Sequence, residues 1–346
     1  MNLFRMAFGH TTTQILYAAV RLGVPDALAD GAMPADKLAH ALDCDPDGLT
    51  RLLRALVVLG VVEEVPPAHF VLAGAARPLC ADHPRSMRSG VLLLGDPATW
   101  RAWGALTEGV RTGGPAFDHA HGTGLFDYLA DHPDLSVVFN KAMRDGTSWV
   151  APAVARAYDF SAAGTVVDVG GGNGALLAAV LDAAPAARGI LFDTAEGTVD
   201  AEQTLARPGL AARYEIETGS FFDAVPAGDV LMVKGILHDW DDQRCLTVLR
   251  NCRAAIAPGG HLLVVEPVRP DRLDTAEAAE VVMSDIAMLV YTGGRERSRP
   301  EYETLLASAG FTLVGVTPPL AGSATRILIA KPRPMEPIQG PRNPPS

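Results

Sequence analysis

The run Thr165-Val-Val-Asp-Val-Gly-Gly-Gly-Asn-Gly174 constrains how the rest of the chain can fold. A short β-branched apolar run carries an acid, enters a glycine cluster and passes into a helical segment, Ala175 to Asp182. That is the outline of a buried parallel strand feeding a tight turn and a helix N-terminus. Glycines at Gly170, Gly172 and Gly174 let backbone approach a ligand without interference from Cβ. The helix that follows offers free N–H groups and the positive end of its dipole.

Two ligands fit such a loop. As Gly170-x-Gly172-x-x-Ala175 it matches the dinucleotide fingerprint, which tolerates alanine at the third position. As Asp168-x-Gly170-x-Gly172-x-Gly174 it resembles the motif of class I S-adenosylmethionine methyltransferases. Asp168, just ahead of the first glycine, opposes a pyrophosphate. It suits a ligand with a cationic methionine amine and no phosphate, so the sulfonium cofactor is preferred. Asp193, in Ile190-Leu-Phe-Asp193, follows the loop by about 20 residues and ends the second strand, where a carboxylate can bind two ribose hydroxyls. The plainer role for such an acid is to cap the next helix.

From Thr165 onward strands and helices alternate. Strands are predicted near 165–170, 189–193, 214–219, 230–236, 261–266, 312–317 and 324–330, and helices near 174–183, 199–206, 241–256, 276–290 and 299–309. Alternation of this kind predicts a parallel α/β sheet. The last two strands are joined only by Pro318 to Ser323, too short for a parallel crossover of a dozen or more residues. The final strand is therefore predicted to run antiparallel. A seven-stranded Rossmann-like sheet with its last strand antiparallel fits the class I methyltransferase fold better than the six parallel strands of a plain dinucleotide fold.

Ahead of this domain, residues 11 to 95 read as helices with one hairpin. Pro34 to Leu42 and the segment after Asp45-Pro-Asp47 are helical, and Val61–Val65 and His69–Leu72 form a wing. The predicted element is an N-terminal all-helical winged-helix unit whose only strands are that hairpin. Its helix carries Arg51 and Arg54 but also Asp45 and Asp47, and Glu63 and Glu64 lie in the wing. A phosphate-reading surface should be basic there. A dimerisation scaffold is preferred to a DNA-binding regulator. The predicted organisation is a dimerisation domain over 1–95, connecting helices that line a substrate pocket over 96–160, a cofactor-binding catalytic domain over 161–332, and a disordered Pro-rich tail over 333–346.

The 346 residues carry 29 Lys+Arg against 40 Asp+Glu, a net charge of −11. That balance disfavours generic binding to nucleic acid or anionic membranes. No stretch is long enough to span a bilayer, and the first residues lack the apolar core of a signal peptide. Cys44, Cys80, Cys245 and Cys252 form no CxxC pair and no metal spacing. They read as reduced thiols of a cytoplasmic protein.

The chemistry concentrates where strands end. Gly219-Ser-Phe-Phe-Asp223 closes the third strand, and Phe221 or Phe222 can stack on a purine. Val233-Lys-Gly-Ile-Leu-His-Asp-Trp-Asp-Asp242 closes the fourth, at the edge that lines the ligand crevice of an open α/β sheet. Lys234 can hold a ligand carboxylate, and His238 is the candidate base. A phenol with a pKa near 10 needs help to ionise, and a positioned imidazole contributes about 10²–10⁴-fold. Asp239, Asp241 and Asp242 could imitate a metal cluster but sit where a helix begins, so they read as caps. Glu266, ending the fifth strand, and Glu296, in Gly293-Gly-Arg-Glu-Arg297, are carboxylates that could orient the imidazole. Phe139, Met143, Trp149, Met283, Met288 and Tyr291 are pocket candidates on helices.

With these residues in place the chain resembles the plant-type O-methyltransferase family, including bacterial enzymes that tailor aromatic natural products such as mitomycins, anthracyclines and naphthoates. The resemblance runs from about residue 12 to 332 through Leu52-Leu-Arg-Ala-Leu56, Phe139-Asn-Lys-Ala-Met143, Val167 to Gly174, Leu237-His-Asp-Trp240 and Gly293 to Arg297. It implies S-adenosylmethionine as methyl donor and S-adenosylhomocysteine as product. It further implies a homodimer through the N-terminal domain, a small aromatic substrate, no metal, and His238 as base with Glu266 and Glu296 as partners. Asp168, Gly170, Gly172, Asp193, Ser220, Phe221, Phe222 and Lys234 are assigned to the cofactor. Phe139, Met143, Trp149, Asp239, Met288 and Tyr291 are assigned to the substrate. Ser220 departs from the pattern, because many relatives have an Asp there that binds the adenine amino group. Some members keep the cofactor yet perform hydroxylation, decarboxylation or ring closure; the retained His238 favours methyl transfer.

Overall fold

The computed structural model describes residues 3–320 and 322–334. The predicted Pro-rich tail lies, from residue 335 on, outside the described residues. The chain forms two compact units. One comprises residues up to 150 together with Ala287–Gly293, the other Ala151–Ile286 together with the chain from Gly294 onward.

In the first unit, the helix Gly9–Leu22 ends on Gly23 in the left-handed conformation. The helices Ala35–Ala41 and Pro46–Val58 follow, the second capped by Asp45, whose side chain accepts the Gly48 N–H. Leu49, Leu53 and Leu56 recur on one face of that helix and are buried with Val20, Leu28, Leu38 and Phe70. Strands β2 (Val62–Val65) and β3 (His69–Leu72) form the predicted wing. A strand β1 of only two residues, Met33–Pro34, adds to the far side of β3, so the unit is not all-helical. Two residues carry no period-two pattern, which is why the strand escapes sequence reading.

The second unit is built on a seven-stranded sheet. Its strands are β4 (Thr165–Val169), β5 (Arg188–Asp193), β6 (Tyr214–Thr218), β7 (Gly228–Lys234), β8 (Ile256–Pro267), β9 (Phe311–Val316) and β10 (Thr325–Pro332). The order is β6-β5-β4-β7-β8-β10-β9. The first five pair in parallel, and β10 pairs antiparallel with β8 and β9. The short Pro318–Ser323 link produces the predicted hairpin, and β10 inserts inside the edge strand β9. Central strands covered on both faces read as continuous apolar runs: Val166, Val167, Leu231, Met232, Val233 and Leu262 to Val265 are at most 1% exposed. The order reverses between β4 and β7, where a crevice opens outside the carboxyl ends of the strands.

Leu231 sits at the centre of this sheet with no exposed surface. Leu231→Ala is expected to cost about 2–5 kcal/mol of unfolding free energy in urea titration, the range for a cavity left in a well-packed core. A smaller loss would mean that the sheet centre is loosely packed.

Candidate active site

The carboxyl ends of β4, β5, β7 and β8 carry the candidate residues. After β4 the chain turns at Gly170 and Gly172, with φ of 68° and 56°. A side chain at Gly170 would begin 2.4 Å from Ile236 Cδ1, so glycine is required there by space as well as by φ. The helix Ala175–Ala183 begins at the loop's end. Asp168 is 1% exposed, and its Oδ2 has no hydrogen-bond partner among the described residues. Burial raises its pKa to about 7, against the opposing pull of Lys234 and the Leu177 amide. Asp193, at the end of β5, accepts the Gly172 N–H on Oδ2 and the Thr194 N–H on Oδ1, each at 2.7 Å. Burial again raises the carboxyl.

Phe221 reaches the loop, with Cε1 3.5 Å from where a Cβ on Gly170 would stand. Phe222 turns instead to Trp240, edge to face at 5.0 Å, with the Arg244 guanidinium over both rings. Ser220 Oγ accepts the Phe222 N–H at 3.2 Å, so one of its lone pairs is used inside its own turn. Lys234 ends β7. Burial lowers its pKa, while Glu266, Asp168 and Asp239 support its charge.

Beyond Lys234 the chain makes a single helical turn, Leu237–Asp239, that carries His238. Its Nδ1 lies 3.0 Å from Glu296 Oε1 and 3.5 Å from Glu266 Oε2, and Nε2 lies 4.0 Å from Asp239 Oδ1. Both glutamates are buried, at 1% and 0% exposure. Glu266 Oε1 accepts the Ile236 and Leu237 N–H groups at 3.0 and 2.9 Å. Glu296 Oε1 also accepts the Ser284 hydroxyl at 2.7 Å, and the Glu296 N–H donates to Asp285. Burial alone would lower the imidazole pKa; Glu266, Asp239 and Glu296 outweigh it and raise it to about 10. Asp239 is pushed up to about 6, chiefly by burial. Carboxylates on its Nδ1 side favour a proton on Nδ1 of His238. The ligating atoms of His238, Glu266 and Glu296 lie within 4.8 Å of one another, a spacing a cation could also occupy.

Three acids read as caps have three different roles. Asp241 caps the helix Asp242–Ala255 by accepting the Arg244 N–H. Asp242 pairs with Arg295 and Arg297, and Asp239 faces His238. Sequence reasoning missed Arg297, Ser284 and Gly294. Arg297 has no exposed surface, and a Cβ on Gly294 would stand far too close to the His238 carbonyl oxygen. The clue was the alternating Arg295-Glu296-Arg297 beside paired glycines.

Of the substrate candidates, Asp239 lies in this cluster. Phe139, Met143 and Trp149 are on the helix Pro133–Ala157, and Met288 and Tyr291 end the helix Ala276–Tyr291. These five belong to the first unit. Tyr291 accepts the Trp103 indole N–H at 2.8 Å, and Phe139 meets Phe126 edge to face. Met143 and Trp149 are exposed, as is Met283 of the second unit.

Comparison with known proteins shows the family. Residues 103–312 match the O-methyltransferase domain, and residues 4–81 match the O-methyltransferase dimerisation domain. The O-demethylpuromycin-O-methyltransferase of Streptomyces alboniger is 42% identical over 322 residues, covering 92% of this chain and 85% of its own. The crystal structure of the mitomycin 7-O-methyltransferase MmcR superposes with a TM-score of 0.89 at 35% identity, covering 95% of this chain and 96% of its own. That of NcsB1 from neocarzinostatin biosynthesis, in complex with S-adenosylmethionine and 2-hydroxy-5-methyl naphthoic acid, gives a TM-score of 0.80 at 32% identity over 93% and 96%. The chain therefore belongs to the S-adenosylmethionine-dependent O-methyltransferase family.

Proposed function

We propose that the chain methylates a phenolic or enolic hydroxyl of a small aromatic or polyketide-like secondary metabolite, with His238 as general base. The observation that carries this is an imidazole held at Nδ1 by two buried carboxylates, at the carboxyl end of the strand beside the glycine loop. His238 Nε2 takes the hydroxyl proton. Glu266 and Glu296 fix the tautomer and stabilise the imidazolium that results. Retention of this full set favours methyl transfer over cofactor-assisted hydroxylation, decarboxylation or cyclisation.

The cofactor's groups find matching partners. Asp168 offers an unpartnered buried carboxylate oxygen to a cationic amine. Lys234 suits a carboxylate, Asp193 retains lone pairs for ribose hydroxyls, and Phe221 offers a ring face to the purine. Ser220 retains its hydroxyl hydrogen as a donor. When bound, S-adenosylmethionine supplies an electrophilic methyl group. Asp239 offers the acceptor a polar contact beside His238. Leu3, Phe4, Met6 and Phe8, all at least half exposed, give the N-terminal segment apolar surface for pairing with a second copy of the chain. No helix among the described residues is long and apolar enough to cross a membrane, and all four cysteines are free thiols, which fits a cytoplasmic enzyme.

His238→Gln is expected to lower kcat by about 10²–10⁴-fold, with S-adenosylhomocysteine release measured against a panel of phenols. Turnover within a few-fold of the parent would remove His238 from the reaction. The raised imidazole gives a second expectation. A group with a pKa of about 10 holds its proton at neutral pH, so its basic form grows as pH rises. With an acceptor of pKa near 10, kcat/KM should climb across pH 7–9; a plateau above about 7 would indicate an ordinary imidazole. Finally, EDTA dialysis should leave turnover unchanged. Loss restored by a divalent cation would assign the His238–Glu266–Glu296 cluster to a metal instead.

A further inference from the structure

We infer that Arg297 is a positioning residue, whose buried guanidinium holds the His238 turn in register with the segment that carries Glu296. The inference rests on His238 as the base.

Arg297 is the largest side chain with no exposed surface among the described residues. Removing a guanidinium from water is costly unless each donor is used. Here Nη1 donates to the Leu237 carbonyl at 2.8 Å, and Nη2 donates to the Trp240 carbonyl at 2.8 Å. Nε and Nη2 donate to Asp242 Oδ1 at 3.1 and 2.8 Å. The two carbonyls flank His238 and Asp239 on either side. A planar fork therefore grips both ends of the turn that carries the base.

The same short segment makes two further attachments. The Arg295 N–H donates to the His238 carbonyl at 2.8 Å, and Gly294 leaves the room that this close approach needs. Glu296 lies between Arg295 and Arg297 in the chain, and its Oε1 meets His238 Nδ1 at 3.0 Å. The imidazole–carboxylate contact is thus one rung of a ladder whose other rungs end on main-chain carbonyls of the turn. Loosening the Arg297 rung frees the turn to slide against Glu296, and displacement of about 1 Å can cost about 10²-fold in rate. Cys245 Sγ also lies 3.1 Å from the Leu237 carbonyl and 3.5 Å from the Trp240 carbonyl, but a thiol is a weak donor with a single hydrogen to share between them.

The charges facing His238 come from Glu266 on β8, Glu296 and Asp239 on its own turn. This permits a test in which charge and position act with opposite sign. Removing the positive charge of Arg297 would, by itself, raise the His238 pKa. Releasing the imidazole from Glu296 would lower it. The experiment is ¹⁵N-histidine NMR of the full chain across pH, with the His238 signal assigned from His238→Gln. In Arg297→Met the His238 midpoint should fall by about one unit or more. Arg297→Lys, which keeps the charge but loses the fork, should give a fall at least as large, because no charge is removed to offset it, and serves alone if the methionine variant does not fold. A midpoint that is unchanged or raised in both overturns the inference.

A kinetic arm uses S-adenosylmethionine with 2-hydroxy-5-methyl naphthoic acid or another turned-over phenol. Arg297→Met should lower kcat by about 10–100-fold, with KM for the methyl donor changed less than about twofold. In the His238→Gln background the same substitution should cost less than about twofold, because nothing remains to position. An equal loss in both backgrounds marks general damage and also overturns the inference. Failure of His238→Gln to slow turnover would instead overturn the base assignment, while the NMR result would still report on the ladder.

Discussion

An imidazole deprived of water favours its neutral form, and a carboxylate deprived of water favours its protonated form. The catalytic unit resolves both tendencies by burying them together. Burial alone would depress His238, yet Glu266, Asp239 and Glu296 carry it to about 10. The relation is mutual: burial raises Glu266, and the nearby imidazole is the largest influence holding it down. Neither charge is tolerable there without the other. Deleting one partner of such a cluster leaves an uncompensated buried charge, a loss of about 3–5 kcal/mol in comparable cases.

The parallel sheet makes that cluster possible. A parallel strand covered on both faces is apolar along its length and can afford polar residues only where it ends. Asp168, Asp193, Lys234 and Glu266 stand at or beside the carboxyl ends of β4, β5, β7 and β8. Because β4 and β7 are neighbours running the same way, the glycine loop and the His238 turn emerge at the same edge. The carboxylates beside the glycine loop and the cluster around His238 therefore share a field. Lys234 feels both Glu266 and Asp168, which links the two.

This edge was legible in the sequence because its signals are local. The Val166–Val169 run, the glycines that follow, the acid after about 20 residues and the short link before β10 each follow from spacing alone. What escaped was set by contacts distant in the chain. Arg297 looks like a surface arginine in a charged stretch; only its enclosure by Leu237, Trp240 and Asp242 shows otherwise. Asp242 reads as a helix cap from its place in the sequence, but Asp241 caps the helix and Asp242 pairs with Arg295 and Arg297. Ser284 precedes Glu296 by more than three helical turns' worth of chain, so no local pattern could announce its bond to that carboxylate. Strand β1 failed for the opposite reason, since two residues are too few to carry a pattern.

Asp168 shows how the two clusters can be coupled through protons. With its pKa near 7, the carboxyl of the free protein is shared between protonated and ionised forms at neutral pH. A cationic group brought to its unpartnered oxygen favours the ionised form, so binding expels the fraction of a proton that remained. The sign is fixed. A ligand that prefers the carboxylate binds less well as pH falls below about 7, because the carboxyl must first be ionised. His238 is affected in the same direction, since its neutral form also fades as pH falls but does so from about 10. Low pH therefore protonates both groups, whereas high pH leaves Asp168 ionised and His238 neutral. The burial that makes Asp168 and His238 unusual thus biases the site toward the alkaline side of neutrality.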